Sequence, residues 1–212
     1  MKISEKLKNY IENNIFPSYA KNDLGHNLDH IKYVINRSIK FAETIPNINM
    51  EMVYTIAAYH DIGHYKDAKN HEKVSAEMLA SNNELKQFFT DEQIKIMSEA
   101  VYDHRASLEY EPRTIYGKIV SSADRNTIVD IPLMRTYQYD IVHNPGQPLE
   151  KTIERSRQHI IEKFGQKGYA TEKMYFKDEE YKQFLKEISA LADNKEAFTQ
   201  RYIKVNNLEN SL

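Results

Sequence analysis

The chain of 212 residues contains no cysteine and no tryptophan. The first absence excludes a disulfide scaffold, a thiolate-ligated zinc site, an iron–sulfur cluster and a thiol nucleophile. Glycine and proline are scarce, six of each, too few for the many tight turns of a mostly β protein. Charge of one sign is also lacking: 29 Lys and Arg against 31 Asp and Glu leave a formal charge of −2. No broad basic surface for duplex nucleic acid or an anionic membrane is expected. No apolar run reaches bilayer-spanning length. The N-terminal MKISEKLKNYIENNIF alternates polar and apolar residues and lacks the apolar core of a secretion signal. These absences point to a cytoplasmic protein.

Apolar residues recur with helical spacing. Ile3, Leu7, Tyr10, Ile11 and Ile15 mark a first helix, closed by Pro17. Leu28, Ile31, Ile35, Ile39 and Ala42 mark a second, over about 29–44. A third starts near Asn49 and is expected to stop at Gly63 in a left-handed cap. A fourth covers 71–80, and Thr90 to Gln93 reads as a capping box opening a fifth. A sixth runs from Arg113 or Thr114 to Asp124. The stretch from Pro132 to Pro148 holds three prolines and a glycine and is expected to be an irregular excursion. Further helices follow, one from Leu149 through Phe164 and one through Tyr181 to Leu191, before a short polar tail. With no period-two run, the expectation is one all-α domain over 1–212, its core at about 24–130 and its C-terminal helices at about 149–205.

Six of the eight histidines lie between residues 26 and 104. The centre is His60-Asp61 in AAYHDIGH, where an apolar helix ends on two metal-binding side chains. An ionised Asp in such a setting is costly unless a cation or donors compensate. The bland alternative, a buried hydrogen-bonded pair, leaves His30 and Asp124 unexplained. If the helices pack antiparallel, His30, His60, Asp61 and Asp124 can converge as a mixed nitrogen and oxygen set suited to Mn, Fe, Co, Mg or Zn with open coordination positions.

The ordered set H…HD…D, in the contexts LDHIKYVINRSIKFA, AAYHDIGHY, HEKVSAEML and KIVSSADRNTIVD, resembles the HD-domain metal-dependent phosphohydrolases, and is most similar to small stand-alone bacterial HD proteins, some of them nucleotide pyrophosphohydrolases. The resemblance covers about residues 24–130 and implies an all-α HD helical bundle. It implies one or two divalent ions (Mn, Fe, Mg, Co or Ni), with His30, His60, Asp61 and Asp124 as ligands. His71 and His104 would hold a second ion or meet substrate phosphate. Asp61 and Glu72 are the candidate catalytic carboxylates, and Arg105 and Arg125 the candidate phosphate-binding cations. The implied activity is hydrolysis of a nucleotide or related phosphate ester or anhydride, by attack of metal-bound hydroxide on phosphorus. Two alternatives stand beside it: a di-iron HD-type oxygenase and a non-catalytic nucleotide-sensing module. His26 and His64 lie near the expected site without an assigned role, and His143 and His159 are expected to be unrelated to the metal. Tyr137 and Tyr139 are read as packing residues rather than base-stacking ones.

Overall fold

The computed structural model describes residues 2–171 and 174–209, excepting the side chain of Leu24; the tail residues 210–212 lie outside the described set. Among the described residues every regular element is a helix and none is a strand. They gather into two compact units, Met1–Arg125 and Asn126–Leu212. The physical reason is that each has a hydrophobic core of its own.

The first unit holds six α-helices: α1 (Glu5–Asn14), α2 (Leu28–Ala42), α3 (Met50–Tyr59), α4 (His71–Ala80), α5 (Asp91–Tyr102) and α6 (Ile115–Ala123). Short 3-10 turns lie at Phe16–Lys21, Leu24–His26 and Asn83–Gln87. The helix starts follow from local chemistry, since side-chain oxygens satisfy the otherwise unpaired first N–H groups. Ser4, Asn27, Asn49 and Thr114 accept bonds of this kind, and Thr90 with Gln93 forms the reciprocal capping box. Helix α3 is buried on nearly every side, from Met50 to Tyr59, and α2, α5 and α6 pack against it. Inside this core Tyr19 donates its hydroxyl to the Ala58 carbonyl at 2.8 Å, and Asn82 donates to the hydroxyls of Tyr10 and Tyr59, both at 2.7 Å.

Helix α3 stops earlier than Gly63, at Tyr59, and Gly63 does not take the left-handed conformation; among the described glycines only Gly146 has a positive φ. The reason for glycine at 63 is close approach. A Cβ there would lie 2.7 Å from the Ser75 backbone nitrogen and 2.7 Å from Val74 Cγ1. Ser75 Oγ accepts the Gly63 N–H at 2.9 Å. The turn after α3 is thereby locked onto the first turns of α4.

The second unit holds α7 (Asp130–His143), α8 (Leu149–Phe164), α9 (Glu179–Asp193) and α10 (Lys195–Val205). The excursion expected over 132–148 is largely α7. Pro132 is its third residue, where a missing N–H leaves no helical bond unmade. Only 144–148 is irregular, with Gly146 at φ +75°. Helix α10 is separate from α9 because Asn194 ends one and caps the other, its side chain accepting the Ala197 N–H. Ile153, Ile160, Phe164, Tyr181, Phe184, Ile188, Phe198 and Tyr202 fill this core. Asp140, buried on α7, accepts a forked pair from Arg155 at 2.9 and 2.8 Å together with the Thr152 hydroxyl and the Asn144 amide.

Candidate metal centre

Five helices of the first unit bring an end to one place. His30 is in the first turn of α2, its N–H held by Asn27 Oδ1 at 3.1 Å. His60 is the residue on which α3 ends, and Asp61 follows it. His71 opens α4, His104 follows the residue that ends α5, and Asp124 ends α6. Clustering at helix ends has a steric cause: only there can side chains from several tightly packed helices reach one point without displacing core residues.

Asp61 is the hub. Its Oδ2 lies 3.2 Å from His60 Nε2 and 3.5 Å from His30 Nε2. His30 Nε2 is also 3.1 Å, and His60 Nε2 3.8 Å, from Asp124 Oδ1. The other oxygen, Asp61 Oδ1, faces His71 Nε2 at 3.3 Å and His104 Nε2 at 3.4 Å, and those two nitrogens are 3.2 Å apart. The donor atoms therefore form two groups, His30–His60–Asp61–Asp124 and Asp61–His71–His104, that share one carboxylate.

The imidazoles are oriented by the backbone. Nδ1 of His60 faces the Ala57 carbonyl at 2.8 Å, Nδ1 of His71 the Ala68 carbonyl at 3.0 Å, and Nδ1 of His104 the Val101 carbonyl at 2.6 Å. A carbonyl only accepts, so each Nδ1 carries the proton, and each neutral ring presents an Nε2 lone pair inward. That is how a ligating imidazole is usually held. His60 and Asp61 are almost fully buried, yet His30 Nε2, His60 Nε2 and Asp61 Oδ1 have no hydrogen-bond partner. Buried polar atoms left this way are costly in a native protein, and here two belong to the His30–His60 side of the Asp61 carboxylate and the third to the His71–His104 side. The donor set and these orphaned atoms fit a divalent cation.

The protein's own charges show the same complementarity. Burial alone pushes the Asp61 carboxyl up, but His60 and the imidazoles around it outweigh burial and hold it well below the usual range. Asp124 is likewise held low against burial by His30 and His60. Burial works to lower His60, while Asp61 and Asp124 carry it well above its ordinary value. The same opposition, with Asp124 the leading partner, raises His30. His71 behaves differently: burial and then His104 push it down to about 4, so its ring is neutral above that pH.

Among the remaining candidates, Glu72 lies in the first turn of α4 with Oε2 3.2 Å from Arg105 Nη1. Arg105 Nη1 also reaches the Lys69 carbonyl at 3.0 Å, and its side chain is 37% exposed. Arg125 is only 6% exposed. Arg113 is occupied structurally, in a forked pair with the fully buried Asp103 at 2.9 and 2.7 Å. His143 and His159 belong to the second unit, where His143 stacks on Tyr139 at 3.9 Å.

Sequence reasoning passed over Asn22. Its amide donates to the carbonyls of His26 and Asp61 at 3.0 and 2.9 Å, and its Oδ1 accepts the Tyr65 N–H at 3.0 Å. It ties the segment before α2 to the turn that carries Asp61. It also passed over Asp23, whose carboxylate sits beside His26 and His64. The bonds of Asn22 to Asp61 and Tyr65 and the approach of Asp23 to His64 have no sequence signal, because each spans some forty residues of chain.

The family model described as the HD domain matches residues 27–127. No curated protein and no solved structure matches the chain.

Proposed function

Residues 27–127 belong to the HD-domain family, most of whose members are metal-dependent hydrolases, and on that premise we propose that the chain is a divalent-metal-dependent phosphohydrolase acting on a nucleotide or a related phosphate ester or anhydride. The observation that carries this reading is the division of Asp61 between two imidazole pairs, Oδ2 toward His30 and His60 and Oδ1 toward His71 and His104.

His30, His60, Asp61 and Asp124 would hold a first ion, and His71 and His104 with the shared Asp61 a second; bound there, such ions would supply a more acidic water and charge to offset that of a phosphoryl group. The chain's own residues do the rest. The carbonyls of Ala57, Ala68 and Val101 fix three rings so that no reorientation is needed on binding. Asp124, with its side chain 26% exposed, marks the open side of the cluster. Glu72, paired with Arg105, positions that guanidinium at the rim beside His71, where the N–H groups not given to Glu72 and Lys69 can meet phosphate oxygens. Asp61 is too enclosed to exchange protons with solvent, so it would serve as a ligand shared by the two donor groups and not as a general base. Arg125 is buried, and its carbonyl accepts the Tyr33 hydroxyl of α2 at 3.0 Å.

The test is a release screen for phosphate and pyrophosphate over nucleotides and simple phosphate esters, with Mn, Mg, Co, Ni and Fe(II) added singly to chelator-treated protein. Hydrolysis that depends on the added metal and disappears in His60→Ala supports the reading; no release from any substrate with any metal refutes it. A second reading, a di-iron oxygenase, is favoured by one feature, the carboxylate shared between two histidine pairs. Oxygen consumption by the iron-loaded protein, with a mixed-valence resonance signal and no phosphate release, would select it.

A further inference from the structure

We propose that Asp23, His26 and His64 form an additional site for a divalent transition-metal ion, separate from the donors grouped around Asp61. Asp23 and His26 flank the 3-10 turn Leu24–His26, and His64 comes from the turn after α3, so two segments some forty residues apart converge. One ligand atom from each residue lies within 4.8 Å of the others. The rings of His26 and His64 are stacked, with centroids 3.8 Å apart and planes 20° apart.

The Asp23 carboxylate divides its work. Oδ1 accepts the backbone N–H groups of Gly25 and His26 at 2.9 and 3.0 Å, which shapes the turn, and lies 2.7 Å from His26 Nδ1. Oδ2 is turned to His64 Nδ1 at 3.9 Å. That separation is too long for a hydrogen bond, but it suits two ligands of one ion. Donors about 2.1 Å from a metal lie about 3.0 Å apart at a right angle and at most about 4.2 Å apart when opposite. The 3.9 Å separation falls inside that range and the 2.7 Å one just below it, so small side-chain shifts would seat an ion.

Two imidazoles and one carboxylate with open positions is a donor set for Mn, Fe, Co, Ni or Zn and a poor one for calcium. The group is accessible as well: Asp23 is 57%, His26 25% and His64 12% exposed at the side chain. Asn22, donating to the carbonyls of both His26 and Asp61, holds the two contributing segments together. The site is distinct from the central cluster yet adjoins it, since the His64 ring lies 5.4 Å from that of His71.

The test counts bound ions. Full-length protein is stripped with a chelator, dialysed against Co2+ and analysed for cobalt per chain. Wild type should hold one ion more than Asp23→Asn, in which the amide oxygen still caps the turn, and one more than His64→Gln, with helical circular dichroism unchanged in both. His60→Ala should lose central cobalt and keep the ion at Asp23, whatever the central ions do in catalysis. Equal cobalt in wild type and both variants would overturn the proposal, as would a His60→Ala protein that binds none.

Discussion

Replacing Asp61 with Asn tests the hub of the cluster at nearly constant volume. In metal-free protein the Asp61 carboxylate faces four imidazole nitrogens at 3.2, 3.3, 3.4 and 3.5 Å. One pair of unit charges 3.2 Å apart at an effective dielectric near 20 attracts by about 5 kcal/mol. Desolvation of the buried carboxylate offsets part of this, and breaking a buried pair from one side costs about 3–5 kcal/mol. Because the rings can shed their protons once the carboxylate is gone, the expected loss sits at the lower end, about 3 kcal/mol near pH 6. The pH dependence has a definite sign. His60 and His30 are raised, so their contribution is fully present below the unfolded imidazole value of about 6.5 and is lost as pH rises through their folded values. Asp61 is depressed, so its contribution is present above its unfolded value of about 3.9 and is lost as pH falls. His71 works the other way, since it is held down to about 4 and so takes stability away as pH falls below about 6.5; metal-free wild type should therefore be most stable near the upper end of the window from about pH 4 to 6.5, and Asp61→Asn should lose that maximum. Urea unfolding with chelator present, followed by circular dichroism from pH 4 to 8, measures it, and cobalt titration should show both central ions weakened. A variant with the wild-type stability profile and unchanged metal content would refute the central role of this carboxylate.

Three further outcomes follow from the same geometry. His104→Ala should remove one central ion and keep the other, read as metal per chain, because His104 touches only the Oδ1 side of Asp61. Gly63→Ala should cost about 1–3 kcal/mol in urea unfolding, since its Cβ meets Ser75 and Val74 backbone and side-chain atoms at 2.7 Å; by pushing α4 away it should weaken the ion at His71 more than the ion at His30. Asp140→Asn should lower the unfolding midpoint of the second unit by breaking the Arg155 pair, at a cost of about 1–3 kcal/mol, while metal content stays at the wild-type value.

The helices of the first unit were legible because their signals are local. Apolar spacing set the buried faces of α1, α2 and α5, and Thr90, Thr114 and Asn49 marked starts through bonds to N–H groups two or three residues away. The all-α class followed, and so did the likeness of residues 27–127 to the HD domain, which rests on an ordered set of residue types. The reading failed where a residue has two possible local meanings. Proline at 132 has the local meaning of a breaker, yet in the first turn of a helix it forfeits nothing. Glycine at 63 has the local meaning of a left-handed cap, yet its place is explained by the close approach of α4. The division into two units was hidden as well, since apolar periodicity shows which face is buried but not which core buries it.

His30, His60, Asp61 and Asp124, with His71 and His104 beside them, were nameable as metal-binding types from order and context alone. Their grouping around the two oxygens of Asp61 was not, and neither was the meeting of Asp23 with His26 and His64. Sequence by itself determined which side chains are present and which helices end on them, because both depend on interactions within a few residues. Tertiary structure alone decided which donors share a point in space, because that depends on how α2 to α6 pack and on single long-range bonds such as Asn22 to Asp61 and Gly63 to Ser75, which leave no periodic trace in the chain.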